Sequence, residues 1–547
     1  MFIYLCLIGF YFLCIIQSSM CDICSTCSCS LINGETQINC HGKNLRNNEM
    51  LNFDLLTLNS YRLNKLILSK NNIDNLPRNL LIKLKFLKSL DISENVIEKI
   101  YTTMFLDLNN LEDLDLSKNS LKTFDMSLLE VLPTLLTLNL SHNQIDSIEH
   151  IMNKGSTKIK VLNLSYNNIF NLSKQFSEVL PNVQYLDLSF NKIHFLEDCN
   201  LMYLKSLKVI RINNNFLTEL NMQMLPKTLI EVYSGYNEIT EILYSLPYIK
   251  VLNVEHNKIS NIHANLTTNS LQQLNVCGNM LSNFPNILLE NLKILNLCNN
   301  KLFYIPETIS TKNFPLLSQL DISQNPIQNL IITSDLKLNS FIANDMSLLK
   351  SIDKDTFANL RPPIKQCINL TISNNRMLSF VHEDALKDMN ICSLDLSNNQ
   401  LTYVAQKLII HKGTDGTNSI NLQMNPFECN CTLQWLLNDL VPRLYSHQPE
   451  LLDNLRCASP PELSNMRMVH WYGWEYEIFC TNKSYVSENL TMNVASVINN
   501  ETVKVQGSSG MIVIMGLATT MLTILVIAGI IWKHRMFLKK RRINRIF

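Results

Sequence analysis

Residues 111–121 read Leu-Glu-Asp-Leu-Asp-Leu-Ser-Lys-Asn-Ser-Leu. Counting Leu111 as position 1, apolar side chains fall at positions 1, 4, 6 and 11, and Asn119 falls at position 9. Positions 4 and 6, Leu114 and Leu116, lie one strand period apart, so both side chains reach the same face, which must be the core. Asn119 follows at the turn leaving the strand and points the same way. Its amide can satisfy backbone donors and acceptors that an apolar interior would leave unpaired, which a leucine cannot do.

The unit recurs. Aligned on that asparagine, Asn71, Asn95, Asn119, Asn143, Asn167, Asn191 and Asn215 stand 24 residues apart. The series continues less evenly through Asn237, Asn257, Asn279, Asn300, Asn325, Asn344, Asn375, Asn399 and Asn425, about sixteen repeats. A coiled coil is excluded, because the period is 24 rather than 7 and each unit carries a fixed polar residue. These residues make the chain resemble the extracellular leucine-rich-repeat proteins over about residues 21–480. The resemblance implies an α/β repeat fold, a curved solenoid with a parallel sheet on its concave face and loops or short helical turns on its convex side. Sixteen strands would trace an arc on the order of 75 Å, the scale of a protein partner.

Sixteen cysteines fit an oxidising compartment, and nine of them cluster at the two ends of the repeat array. Cys24, Cys27, Cys29 and Cys40 look like the N-terminal flank of this family, with Cys21 as an extra; a zinc site in the same run is the alternative. Cys429, Cys431, Cys457 and Cys480, beside Trp435, resemble its C-terminal flank, and family pairing implies Cys429 with Cys457 and Cys431 with Cys480. Such caps cover the core that terminal repeats expose. Cys277 and Cys298 occupy one repeat position in neighbouring units, about 4.8 Å apart across a parallel ladder, so they form either a rim disulfide or two packed free thiols. Cys199, Cys367 and Cys392 have no evident in-register partner; one of the last two replaces a core leucine, and Cys367 reads as a structural residue.

Both ends of the chain carry expectations of a different kind. Met1 to Ile16 is uncharged and almost wholly apolar, which reads as a secretory signal cleaved near Ser19, or else as an anchor. Met511 to Trp532 is a 22-residue uncharged run, long enough to span a bilayer. Lys533, Arg535, Lys539, Lys540, Arg541, Arg542 and Arg545 follow it, and basic flanks stay cytoplasmic. Subtracting those seven from a net charge of +1 leaves −6 for the body, which argues against a general nucleic-acid surface. The expected organisation is a signal peptide over 1–19, an N-terminal cysteine-rich flank over 20–58, the solenoid over 59–424 and a C-terminal flank over 425–480. A glycosylated stalk over 481–510, a transmembrane helix over 511–532 and a basic cytoplasmic tail over 533–547 follow. The chain would then be a single-pass type I protein of the plasma membrane with its ectodomain outside. The resemblance is to Toll-like-receptor-type ectodomains, yet the fifteen-residue tail has no room for a TIR module, and in this the chain is similar to leucine-rich-repeat adhesion molecules.

Positions flanking the strand leucines are expected on the concave face. There repeats five to eight supply Tyr166, Tyr185, Phe190, Arg211, Tyr233 and Tyr236, the composition of an interface hot spot. Earlier repeats offer Glu94, Glu112, Asp113, Asp115 and Lys118, a solvated or a binding face. Glycosylation sequons stand at Asn139, Asn163, Asn171, Asn265, Asn369, Asn482, Asn489 and Asn500, with Asn430 set between two cysteines and expected to be unused. Sugars at Asn139 and Asn163 would project from the sheet and push a ligand toward repeats six to eight. Hydrophobic residues make up 46% and charged residues 17%, enough apolar material for a large core. Only 13 residues are Gly, and no GxGxxG, GxxxxGK[ST], HExxH or GxSxG pattern occurs, so no cofactor and no catalysis are expected. Recognition of an extracellular protein, homophilic or not, is the leading function class; a receptor or co-receptor subunit signalling through a membrane partner is the alternative.

Overall fold

Three residues per repeat are enough for a strand here, because the residue two places past the strand's buried second leucine turns the chain out of it. In a computed structural model of the chain, residues 22–480 are described except for 33, 47–61, 77–80, 82–83, 150–156, 197–200, 244–246, 264–269, 388 and 410–418. The expectations for 1–19 and 481–547 lie outside the described residues, as do those for Cys21, Cys199, Asn265, Asn482, Asn489 and Asn500. No helix among the described residues is long and apolar enough to cross a membrane.

The main sheet has 18 strands. The first two, Ser28–Ile32 and Glu35–Asn39, form an antiparallel hairpin, and the second of them pairs in parallel with Leu63–Ile67. From there the sixteen repeat strands run in parallel to Ser419–Asn421. Position 4 pairs with position 4 at every step through the array's middle, Leu162 with Leu186, then Ile210, Val232 and Leu252. All of these are buried, as are the position-6 and position-11 residues that follow them. The chain returns on the other side through 3-10 turns such as Thr102–Met104 and Met126–Leu129, and through short strand pairs such as Thr123–Asp125 with Ser147–Glu149. Larger rings pack between neighbouring repeats: Phe284 edge-on against Phe314, and Phe341 against Phe357.

Each position-9 asparagine works as a connector between turns. Asn119 Nδ2 donates to the carbonyls of Leu116 (3.0 Å) and Ser117 (3.2 Å) in its own repeat and to Ile92 (3.0 Å) in the preceding one. Its Oδ1 accepts the Ile97 N–H at 3.1 Å. The same set recurs at Asn143, Asn167, Asn191 and Asn215. The ladder departs from the sequence reading at one rung. Phe341 and Ala343 are the buried position-4 and position-6 residues there, so Asn344 stands at position 7 and Met346 takes the buried position 9. Asn344 still bonds, its Oδ1 accepting the Ser373 N–H at 2.8 Å, while the Met346 N–H donates to Asn375 Oδ1 at 2.7 Å.

Position 8 has a second signature. In every repeat from Lys70 (φ 57°) to Met424 (φ 57°) this residue is left-handed, and none is β-branched. A non-glycine residue there costs about 1–2 kcal/mol. The cross-repeat ladder offsets it; the Tyr166 N–H, for example, donates to the Ser189 carbonyl at 2.9 Å.

At the N-terminal end Cys24 is disulfide-bonded to Cys29 and Cys27 to Cys40, so none of the four offers a thiolate, and the zinc alternative fails. The Leu45 N–H donates to Asn71 Oδ1 and Asn71 Nδ2 to the Cys40 carbonyl, which makes this flank a substitute for the missing preceding repeat. At the other end Trp435 Nε1 donates to the Val404 carbonyl at 3.2 Å, and strand Phe427–Glu428 pairs with Cys457–Ser459. Among the described residues, Cys429–Gln434 and 473–480 belong to a separate compact unit. Within it Cys431 is bonded to Cys480, and Gln434 Oε1 accepts the Phe479 N–H at 2.8 Å. Cys429 and Cys457 are each disulfide-bonded.

Two further disulfides join neighbouring repeats. Cys277 and Cys298 are linked at position 7 with their Cα atoms 4.5 Å apart. Cys367 and Cys392 are linked at 5.2 Å, although they stand at positions 1 and 2 of their repeats. The ladder pairs Ile368 with Ile391 and Asn369 with Ser393, which leaves Cys392 as the extra, unpaired residue of a bulge, where it meets Cys367. Ile368 and Ile391 are buried while Cys367 and Cys392 are only half-buried, so neither cysteine replaces a core leucine.

Candidate protein-binding face

Position 3 and position 5 side chains, flanking each buried leucine, stand on the outer side of the sheet. In strands Tyr185–Asp187, Val209–Arg211 and Glu231–Tyr233, register sets Asp187, Arg211 and Tyr233 side by side, with Tyr185 two places back on its own strand. Arg211 Cζ lies 4.8 Å from the Tyr233 ring centroid and 5.8 Å from that of Tyr185. Two phenols therefore flank one guanidinium, a cation–π arrangement that suits the planar arginine head. The hydroxyls are tied down: Tyr185 donates to Asp187 Oδ2 at 3.2 Å and Tyr233 to Glu231 Oε2 at 2.9 Å. Burial, then the neighbouring carboxylates, pushes both phenols above their ordinary pKa, with Arg211 opposing, so both remain protonated donors at neutral pH.

Tyr166, Phe190 and Tyr236 stand elsewhere, at position 8, beyond the strand ends. There the rings stack along the array. His142 lies 4.0 Å from Tyr166 and Tyr166 4.0 Å from Phe190, nearly parallel; after a break at Asn214, Tyr236 stacks on His256 at 4.4 Å. A Cβ on Gly278, the next position 8, would come within 2.6 Å of the His256 ring, so glycine is required there by the ring rather than by φ, which fifteen non-glycine neighbours also adopt. The six residues singled out from sequence thus divide into an arginine clamp on the sheet and two ring stacks along its edge. His142 and His256, which complete the stacks, share the repeat position of Tyr166 and Tyr236, and that shared position was the available signal.

The polar residues at position 5 have a local task. Asp91, Asp115, Asn139, Asn163 and Asp187 each accept the N–H of position 7 two residues on, at 2.8 to 3.1 Å. Asn139 Nδ2 also donates to Asp115 Oδ2 at 3.0 Å. The sequons at Asn139 and Asn163 therefore coincide with a structural turn, an Asn at position 5 followed by a Ser at position 7. Asn171 is exposed on the chain leaving its strand; Asn369 is exposed on the sheet, and its Oδ1 accepts from Ser393 Oγ. Of the earlier charged residues, Glu94 and Lys118 are paired at 2.9 Å along position 8, and the hydrogen bond from Lys118 holds the Glu94 carboxyl below its usual range. Sequence reasoning missed a cleft of about 770 Å³ on the loops leaving strands Ile294–Asn296 and Gln319–Asp321, with Phe303, Tyr304, Glu307 and Ile331 in its lining.

Models of the leucine rich repeat match residues 61–121, 110–169 and 133–193, and a further one matches residues 291–311. These repeats are leucine-rich repeats. No curated protein matches the chain. Among solved structures, this leucine-rich-repeat solenoid is similar to a chain of the glycosylated Drosophila Toll–Spatzle complex, with 18% identity and a TM-score of 0.51 over 76% of this chain and 61% of that one. It also resembles the Leptospira interrogans leucine-rich-repeat protein LIC12759 (23% identity, TM-score 0.48, 69% and 94% of the two chains) and YopM from Yersinia enterocolitica (21%, 0.41, 67% and 79%). The likeness to the Toll–Spatzle chain is one of fold, and the present chain spans 61% of that chain's length.

Proposed function

We propose that the protein is a type I, single-pass glycoprotein of the plasma membrane whose leucine-rich-repeat solenoid recognises another protein outside the cell, in adhesion or cell–cell recognition. The observation that supports this reading is the Tyr185–Arg211–Tyr233 clamp, flanked by exposed ring edges, on a sheet face that also carries Val161, Val209 and Val251. Tyrosine and arginine are the residues concentrated at interface hot spots. The orientation rests on the apolar run at 511–532 with its basic flank. No cofactor and no catalytic step enter this reading. A receptor or co-receptor subunit is the second reading, supported by the small-xxx-small pair Gly516 and Thr520 in the apolar run, which suits packing against a second membrane helix. The Toll chain of similar fold is recorded in complex with Spatzle. Two cell populations expressing the full chain separate the readings. Aggregation of expressing cells with each other supports adhesion; capture only by cells bearing a distinct receptor complex supports the second reading; binding in neither format, with the chain displayed, rejects both.

A further inference from the structure

We propose that Arg211 is the seat for a carboxylate side chain, Asp or Glu, presented by a protein partner. The inference rests on the protein-recognition reading above and names the chemistry that the face accepts. The guanidinium carries its donors in its own plane. With a phenol ring on either side, at 4.8 and 5.8 Å, approach is left to that plane, and a carboxylate fits it through two parallel hydrogen bonds.

Among the described residues Arg211 has no such partner. No carboxylate of the described residues lies within 4.0 Å of its guanidinium. Its Nε is shielded from solvent and has no hydrogen-bond partner among the described residues. A buried donor left unmade is costly, and the guanidinium is not satisfied from within the described residues. The acids on the adjoining strands are engaged otherwise: Asp187 accepts from Tyr185 Oη and from the Ser189 N–H, and Glu231 accepts from Tyr233 Oη. At position 2 the arginine's own strand carries Lys208, the two tyrosine strands carry Gln184 and Ile230, and the next strands out carry Lys160 and Lys250; the three lysines are exposed and favour an approaching acid.

A protein supplies the carboxylate better than an acidic sugar does. Sugars dock on open aromatic faces, and here each ring already has a face taken: Tyr185 and Tyr233 by Arg211, Tyr166 and Phe190 by each other, Tyr236 by His256. What remains is an apolar edge beside a cation. The matching element is an acidic side chain next to an apolar one.

The test uses the full-length chain in detergent micelles, wild type and Arg211→Gln, panned with displayed random dodecapeptides. Retained peptides are expected to carry Asp or Glu beside an apolar residue. Changing that acid to its amide should weaken binding to wild type by roughly tenfold or more, Arg211→Gln should weaken the acidic peptide similarly, and the two changes together should add nothing further. Arg211→Lys, which keeps the charge without the planar fork, should fall between. Equal thermal transitions establish that the variants fold; if Arg211→Gln does not, the Lys variant and the acid-to-amide peptides still decide. Retained peptides without an acid, strictly additive losses, no retained peptides, or retention of a sialylated oligosaccharide instead would each overturn the carboxylate seat. Peptides lost on Tyr185→Ala with Tyr233→Ala yet indifferent to the acid would overturn this inference alone. Peptides indifferent to every one of these variants would place recognition off the face and overturn the proposed function as well.

Discussion

A single side chain, the position-9 asparagine, explains how a stack of leucine strands tolerates a polar residue in every turn. Asn191 is buried; its Nδ2 donates to the Leu164 and Leu188 carbonyls at 3.0 Å, and its Oδ1 accepts the Ile169 N–H at 3.0 Å. Asn191→Leu keeps the size and strands these backbone groups, at about 1–3 kcal/mol for each buried group left unsatisfied. A loss of about 3 kcal/mol or more in denaturant unfolding is expected, and an unchanged midpoint would reject the connector role. The binding residues should behave oppositely. Tyr185→Ala with Tyr233→Ala should reduce partner affinity by about 2 kcal/mol or more with little change in unfolding. Leu186→Ala, fully buried on the strand that carries Tyr185, should cost about 2–5 kcal/mol of stability. If the tyrosine pair can be removed without effect on binding, the clamp is no hot spot.

Between residues and molecule stand the elements, and here the repeats differ from one another. The three-residue strand is nearly invariant, but the connection after it varies in length, so each pair of neighbours needs its own lock. Cys277–Cys298 and Cys367–Cys392 lock two such steps, closing loops of 21 and 25 residues. Chain-entropy reasoning assigns loops of this size about 3 kcal/mol each. Mass spectrometry of non-reduced peptides should recover both links; alkylation of all four as free thiols would reject them. Replacing both cysteines of one pair by serine should lower the unfolding midpoint without altering the far-ultraviolet dichroism, since the strands on either side keep their own ladders. The link from Cys367 shows why spacing alone misleads: the two cysteines differ by one repeat position, and Cys392 meets Cys367 as the bulged residue of strand Ile391–Asp395.

Over the whole molecule, the sheet is open-ended, and the two flanks are what end it. The N-terminal flank presents backbone groups to Asn71 as a repeat would, and the C-terminal residues 453–455 do the same for the last repeat, with the Met424 N–H donating to the Asn454 carbonyl at 3.0 Å. The proposed membrane topology belongs to this scale. Antibody against the segment around Asn482 should label intact cells, whereas a tag placed after Phe547 should require permeabilisation. The reverse pattern would sink the surface-recognition reading along with its orientation.

The sequence by itself determined the period, the strand, its buried face and the ladder that joins the turns, because these depend on which residues sit at positions 1, 4, 6, 9 and 11, and each repeat states them again. It also placed Tyr185, Arg211 and Tyr233 on the outer side of the sheet, since strand alternation is local. Only the tertiary structure decided what those side chains do there. Whether Arg211 meets two phenols depends on register between strands, and whether Tyr166 and Tyr236 join it depends on a left-handed turn that moves position 8 off the sheet and into edge stacks. The same reason explains Met346 taking the place read for Asn344, and Cys367 meeting Cys392. A one-residue shift in one turn changes which neighbours meet while leaving the local pattern almost unchanged, and only packing against the adjacent turn resolves it.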